Sequence, residues 1–86
     1  MRFRLSVHVK EEMTRRGIPL GLLESVLESP QQVVPTKEGK KAYQSQIDFG
    51  SGKMYLLRAI VLDDVEPPLV VTAYRTSKIQ KYWRQT

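Results

Sequence analysis

A chain of 86 residues with 41% hydrophobic and 27% charged residues supports one domain, spanning 1–86, and excludes wholesale disorder. The absence of cysteine excludes disulfide staples and thiol-based zinc sites and suits a reducing cytoplasm. The formal charge of +5 is concentrated near the end, where Arg75, Lys78, Lys81 and Arg84 meet no acidic residue from Leu69 onward. Such an end either binds an anionic partner, nucleic acid or an acidic protein segment, or simply keeps the chain soluble. The start lacks the apolar run of a signal peptide and no segment is long enough for a membrane span, so a cytoplasmic protein without membrane partners is expected.

The opening Arg2-Phe3-Arg4-Leu5-Ser6-Val7 alternates polar and apolar as a short strand does. Ser6 is placed to cap a helix from about Val7 to Arg16, with Val9 and Met13 on one face and Gly17 as its terminator. Pro19 then opens a second helix over Leu20–Glu28, whose apolar stripe is Leu22, Leu23, Val26 and Leu27, and Ser29-Pro30 stops it. From Gln31 the period changes. Val33–Val34 reads as a short strand, Thr36–Lys40 as a polar turn, and Ala42–Phe49 as a strand whose wet face carries Gln44, Gln46 and Asp48. Gly50-Ser51-Gly52 makes a hairpin loop into Met54–Leu62, an almost continuous apolar run expected to be central. Asp63–Pro68 breaks that run, and Leu69–Tyr74 is the last strand. Ser77 and Gln80 have the spacing of a capping box opening a short helix over Lys78–Arg84. The expected fold is α+β: two N-terminal helices on an antiparallel sheet of three or four strands, with a short C-terminal helix.

No nucleotide-binding fingerprint, zinc spacing or nucleophile elbow is present, and no cofactor or metal is expected. His8 is the single side chain with an ordinary pKa near neutrality, so it is either a proton-transfer group or a junction histidine held by structural bonds. Arg58 interrupts an apolar strand on the face of Leu56 and Ile60. It requires a carboxylate, an anionic ligand, or an open edge where its head reaches water. Thr72, Tyr74, Arg75 and Lys78 mark the passage from strand to helix and read either as an anion site or as a capped helix with solvated cations. Tyr82 and Trp83 either stack on bases or anchor the last helix to the sheet.

The stretch His8 to Ile18, with Met13, Arg16 and Gly17 in register, resembles a pattern His-Ala-x-x-Arg-Met-x-x-Arg-Gly-Ile of small, largely uncharacterised bacterial proteins. Val70 to Tyr82, through Thr72, Tyr74, Arg75, Lys78, Ile79 and Lys81, resembles the close of the same family. That family is similar to BrnT-type proteins and to RelE/ParE-like toxin ribonucleases. The resemblance implies a RelE/BrnT-like sheet with two leading helices, metal-free RNA cleavage and inhibition by an antitoxin. It carries functional roles onto His8, Arg16, Thr72, Tyr74 and Lys78. Glu12 departs from the pattern, replacing the usual Arg and removing a cation.

RNA supplies its own nucleophile, the 2′-hydroxyl, so a site of this kind need only move protons and stabilise charge on phosphorus. On that reading His8, Arg58 and Tyr74 are catalytic, Arg16, Thr72, Arg75, Lys78 and Lys81 bind RNA, and an acidic antitoxin covers the basic end. The other reading is a non-catalytic module on the same fold that binds nucleic acid or protein.

Overall fold

The computed structural model describes residues 2–85. The elements in chain order are strand β1 (Arg4–Leu5), helices α1 (Val7–Arg16) and α2 (Leu20–Glu28), strands β2 (Gln32–Pro35), β3 (Lys41–Asp48), β4 (Met54–Leu62) and β5 (Leu69–Thr76), and a single helical turn, α3 (Ile79–Tyr82). All five strands join one sheet in the order β1-β5-β4-β3-β2.

The α+β class is as expected, but the sheet is larger and mixed rather than purely antiparallel. β2 to β5 are antiparallel neighbours, as hairpin-length connections require. β1 instead pairs parallel to β5, Arg4 opposite Leu69 and Leu5 opposite Val70. Strands so far apart in the chain are free of the hairpin constraint, which is why connection length does not reveal this pair.

Strand alternation divides the sheet into two unlike faces. On one, Leu57, Ala59, Val61, Val70 and Ala73 join Val9 of α1, Ile18 and Leu23, Val26 and Leu27 of α2 to form the buried core, with Phe3 at its edge. Each large aliphatic side chain buried there contributes about 1.5–3 kcal/mol. The other face carries Gln44, Arg58, Thr72 and Tyr74, brought side by side by the register.

Two local devices orient α1. The Ser6 hydroxyl accepts from the Val9 amide at 3.0 Å, the expected cap, and donates to the Val71 carbonyl at 2.9 Å. That carbonyl belongs to an extra residue in β5, where the register slips between Ile60 opposite Thr72 and Val61 opposite Val70. The bulge thereby fastens the start of α1 to the last long strand. At the other end Gly17 takes the left-handed conformation with φ 64°. Its amide donates to Thr14 O at 3.4 Å and that of Ile18 to Met13 O at 2.9 Å, the paired bonds of a Schellman turn.

The C-terminal helix is shorter than expected, and its capping box does not form. Ser77 is not the cap; Lys78 is, without a side-chain bond, and Thr76 Oγ1 accepts from the Lys78 amide at 3.0 Å. Gln80 points its side chain to Gln85 instead, at 3.2 Å.

Space around Gly17 is open to an added Cβ, so any cost of substitution there is conformational. Gly17→Ala is expected to destabilise the protein by about 1–2 kcal/mol, the cost of a left-handed L-residue. Urea unfolding checks this, and a change within about 0.3 kcal/mol contradicts the assignment.

Candidate functional site

Arg58 lies on β4, the middle strand, directly opposite Gln44 of β3 and Tyr74 of β5. It is 7% exposed, yet among the described residues it makes no ion pair. Its Nε donates to Gln44 Oε1 at 2.8 Å and its Nη1 to the Tyr74 hydroxyl at 2.5 Å. The Tyr82 ring stacks across the guanidinium, with Cζ 4.3 Å from the ring centroid. All of these partners are neutral. They orient the cation and add cation–π attraction of about 0.5–2 kcal/mol, but they leave its charge uncancelled.

The site opens into a cleft of about 490 Å³ lined by Arg58, Ile60, Val71, Thr72 and Tyr74 of the sheet and by Thr36, Lys37, Glu38 and Lys40 of the β2–β3 turn. Lys40 Nζ is 3.4 Å from the exposed Glu38 carboxylate, so the cleft holds one surface ion pair beside the cations of Arg58 and Lys37. Glu38 has φ 61°, a left-handed conformation uncommon for a residue other than glycine, and this folds the turn.

Arg16 approaches from α1, its Cζ 6.0 Å from the Tyr74 ring centroid. Glu12 sets its position: Arg16 Nε donates to Glu12 Oε1 at 2.8 Å, and Arg15 Nη2 donates to Glu12 Oε2 at 2.6 Å. Glu12 therefore acts as the buried acceptor that ties two arginines to the helix.

Burial raises the Tyr74 phenol above its ordinary pKa, against the opposing pull of Arg58, so the hydroxyl stays protonated at neutral pH. Tyr82 shifts the other way, lowered chiefly by the neighbouring Lys81 ammonium, whose Nζ lies 5.2 Å from the ring centroid.

The remaining expected site residues disperse. Thr72 lines the cleft. His8 is exposed in the first turn of α1 and does not line it; eight residues of helix, about 12 Å, separate it from Arg16. Lys78 is exposed and outside the lining, at the start of a four-residue helix. Arg75 alternates onto the opposite face of the sheet, opposite Leu57, with its guanidinium 4.6 Å from the Phe49 ring and 5.1 Å from Tyr55. Lys81 sits at the Tyr82 rim.

Gln44, Lys37 and Lys40 were not singled out by sequence reasoning. Strand alternation in the sequence puts Gln44 on a wet face, but it is fully buried beneath the C-terminal segment. The available signal was Arg58 itself, since an arginine inside an apolar strand requires an acceptor on a neighbouring strand, and Gln44 is the polar residue in register.

The chain belongs to the family described as DUF4258, a domain of unknown function, which matches residues 5–75. The match takes in Gln44, Arg58, Thr72 and Tyr74 and ends before α3. No curated protein and no solved structure matches the chain.

The Glu12 carboxyl is held below the usual carboxylate range, principally by its hydrogen bond with Arg15, with Arg16 adding to it and desolvation opposing. Because the folded-state pKa is depressed, this stabilisation is complete above the ordinary value of about 4.3 and is lost as pH falls through the lowered value. Glu12→Gln is expected to flatten the acid loss of stability over that window, measured as urea midpoint against pH. Parallel profiles for parent and variant contradict the assignment.

Proposed function

We propose that the protein is a metal-independent endoribonuclease of the toxin type, acting on an RNA phosphate bound in the cleft at Arg58. A guanidinium almost wholly buried among neutral partners, at the wall of an open cationic cleft, carries this reading. A phosphodiester supplies the negative charge that the protein does not. The resemblance of the His8–Ile18 and Val70–Tyr82 segments to BrnT-type and RelE/ParE-like ribonucleases supports the same reaction class.

In the reaction the 2′-hydroxyl oxygen attacks phosphorus and the bond to the 5′-oxygen breaks, giving a 2′,3′-cyclic phosphate and a 5′-hydroxyl end. Arg58 stabilises the extra charge on the phosphorane oxygens. The Tyr74 phenol, protonated at neutral pH, donates to the leaving oxygen. Solvent takes the proton of the 2′-hydroxyl and returns one to the Tyr74 phenolate, which closes the cycle. His8 lies outside the cleft, so proton donation falls to Tyr74. An acidic antitoxin segment would lie over the basic C-terminal end at Lys78 and Lys81, with association that weakens as salt rises.

A second reading, a binding module without catalysis, is favoured by one observation. The cleft contains a strong anion-binding group, while the single histidine, His8, is outside it.

Cleavage of a mixed RNA pool with chelator present, using free and ribosome-bound RNA, separates the two. Arg58→Ala is expected to slow cleavage about 10²–10³-fold and Tyr74→Phe at least about 10²-fold. His8→Ala should have the smallest effect. Undiminished cleavage in both Arg58→Ala and Tyr74→Phe contradicts the site. No cleavage by the parent leaves the binding module.

A further inference from the structure

The acceptor that fixes Arg58 is an amide at a position where a carboxylate would form the stronger bond. Gln44 is fully buried on β3, and both ends of its amide are engaged. Oε1 accepts from Arg58 Nε at 2.8 Å, while Nε2 donates to Gln32 Oε1 at 2.8 Å and to the Tyr82 carbonyl at 3.2 Å. A flipped amide would set NH₂ against the guanidinium and oxygen against two acceptors, so only one orientation satisfies the site.

A carboxylate here would make a charge-assisted bond, but it would also cancel the cation and lose both N–H donors. An apolar residue would spare the charge and leave the guanidinium without its guide. The amide alone supplies orientation without neutralisation. An arginine has five N–H donors, of which Gln44 and Tyr74 take two, so others remain for a ligand on the cleft side. The bond to the Tyr82 carbonyl refers the aromatic roof over Arg58 to the same side chain.

We propose that Gln44 is the positioning residue of the anion site, a neutral two-ended clamp that fixes the Arg58 guanidinium while leaving its charge for one phosphate group of a single-stranded RNA. The phosphate's identity as part of RNA rests on the function proposed above; the clamp itself does not. Gln44 acts through Arg58 and does not touch the ligand.

The test measures binding of a 2′-O-methyl oligouridine, which lacks the attacking hydroxyl, to the full chain across a range of salt. Gln44→Glu is expected to weaken binding about tenfold or more and to reduce the slope of log affinity against log salt by about 0.7, the loss of one phosphate contact. Gln44→Met should weaken binding while keeping the slope, because the charge survives but its orientation does not. Circular dichroism establishes that each variant is folded. Parent-like affinity and slope in Gln44→Glu overturn the proposal; if that variant does not fold, parent-like affinity in Gln44→Met does so. A parent that fails to bind the oligonucleotide counts against RNA as ligand, and inorganic phosphate then tests the clamp. Compared with chloride at matched ionic strength, phosphate should raise the Tm of the parent more than that of Gln44→Glu, a difference that separates site binding from the general salting-out effect. Equal rises overturn it.

Discussion

The Arg58 guanidinium occupies the middle strand of the sheet and is satisfied by an amide oxygen, a phenol oxygen and aromatic faces. Removing a full charge from water costs several kcal/mol even after relaxation, and neutral acceptors recover only part of it. That constraint shapes one whole side of the molecule. Gln44 must be buried to meet Arg58, and Gln32 must then meet Gln44. Gln32 in turn holds the chain end through both atoms of its amide: Nε2 donates to Arg84 O at 2.8 Å and Oε1 accepts from Arg84 N at 3.1 Å. The C-terminal segment, whose only helix is one turn long, is thus held largely by side-chain amides that begin at Arg58.

The two faces of the sheet use the same residue types for opposite ends. Arg75, one position after Tyr74, alternates to the other side, where Phe49 and Tyr55 pack edge to face at 5.7 Å and the guanidinium lies over both. There an arginine covers aromatic surface beside an apolar core. Across the sheet, Arg58 is oriented by polar groups and lines an open cleft. The difference follows from parity along a strand, since a shift of one residue exchanges the faces.

Both leading helices and the three long strands can be read directly from periodicity, because each has a buried stripe or run too regular for loops. Ser6 and Gly17 mark the ends of α1 for local stereochemical reasons, so they also are visible in the sequence. Two features are not. The parallel β1–β5 pair depends on residues distant in the chain, and two residues carry little periodicity. The Ser77–Gln80 spacing matches a capping box, but the Gln44 and Gln32 ties to the chain end, which no local pattern encodes, hold this segment in a different geometry. The site divides in the same way. Arg58 and Tyr74 stand out by their strand positions. The separation of Arg75 from them follows from alternation, whereas grouping by proximity in sequence merges them. Gln44 on an alternating strand has the appearance of a solvated residue until the segment that covers it is in place.

The pairing of Arg4–Leu5 with Leu69–Val70, reinforced by the Ser6 hydroxyl on the Val71 carbonyl, joins positions 65 residues apart. A nascent chain therefore makes its first strand long before that strand has a neighbour, and the helical hairpin that follows waits for β3, β4 and β5 to cover its apolar stripe. Contacts of such long range slow folding, since loop closure precedes the gain from pairing. The sheet that sets Gln44, Arg58 and Tyr74 side by side can close only once β5 has been made. Until that strand emerges, the nascent chain carries an incomplete site.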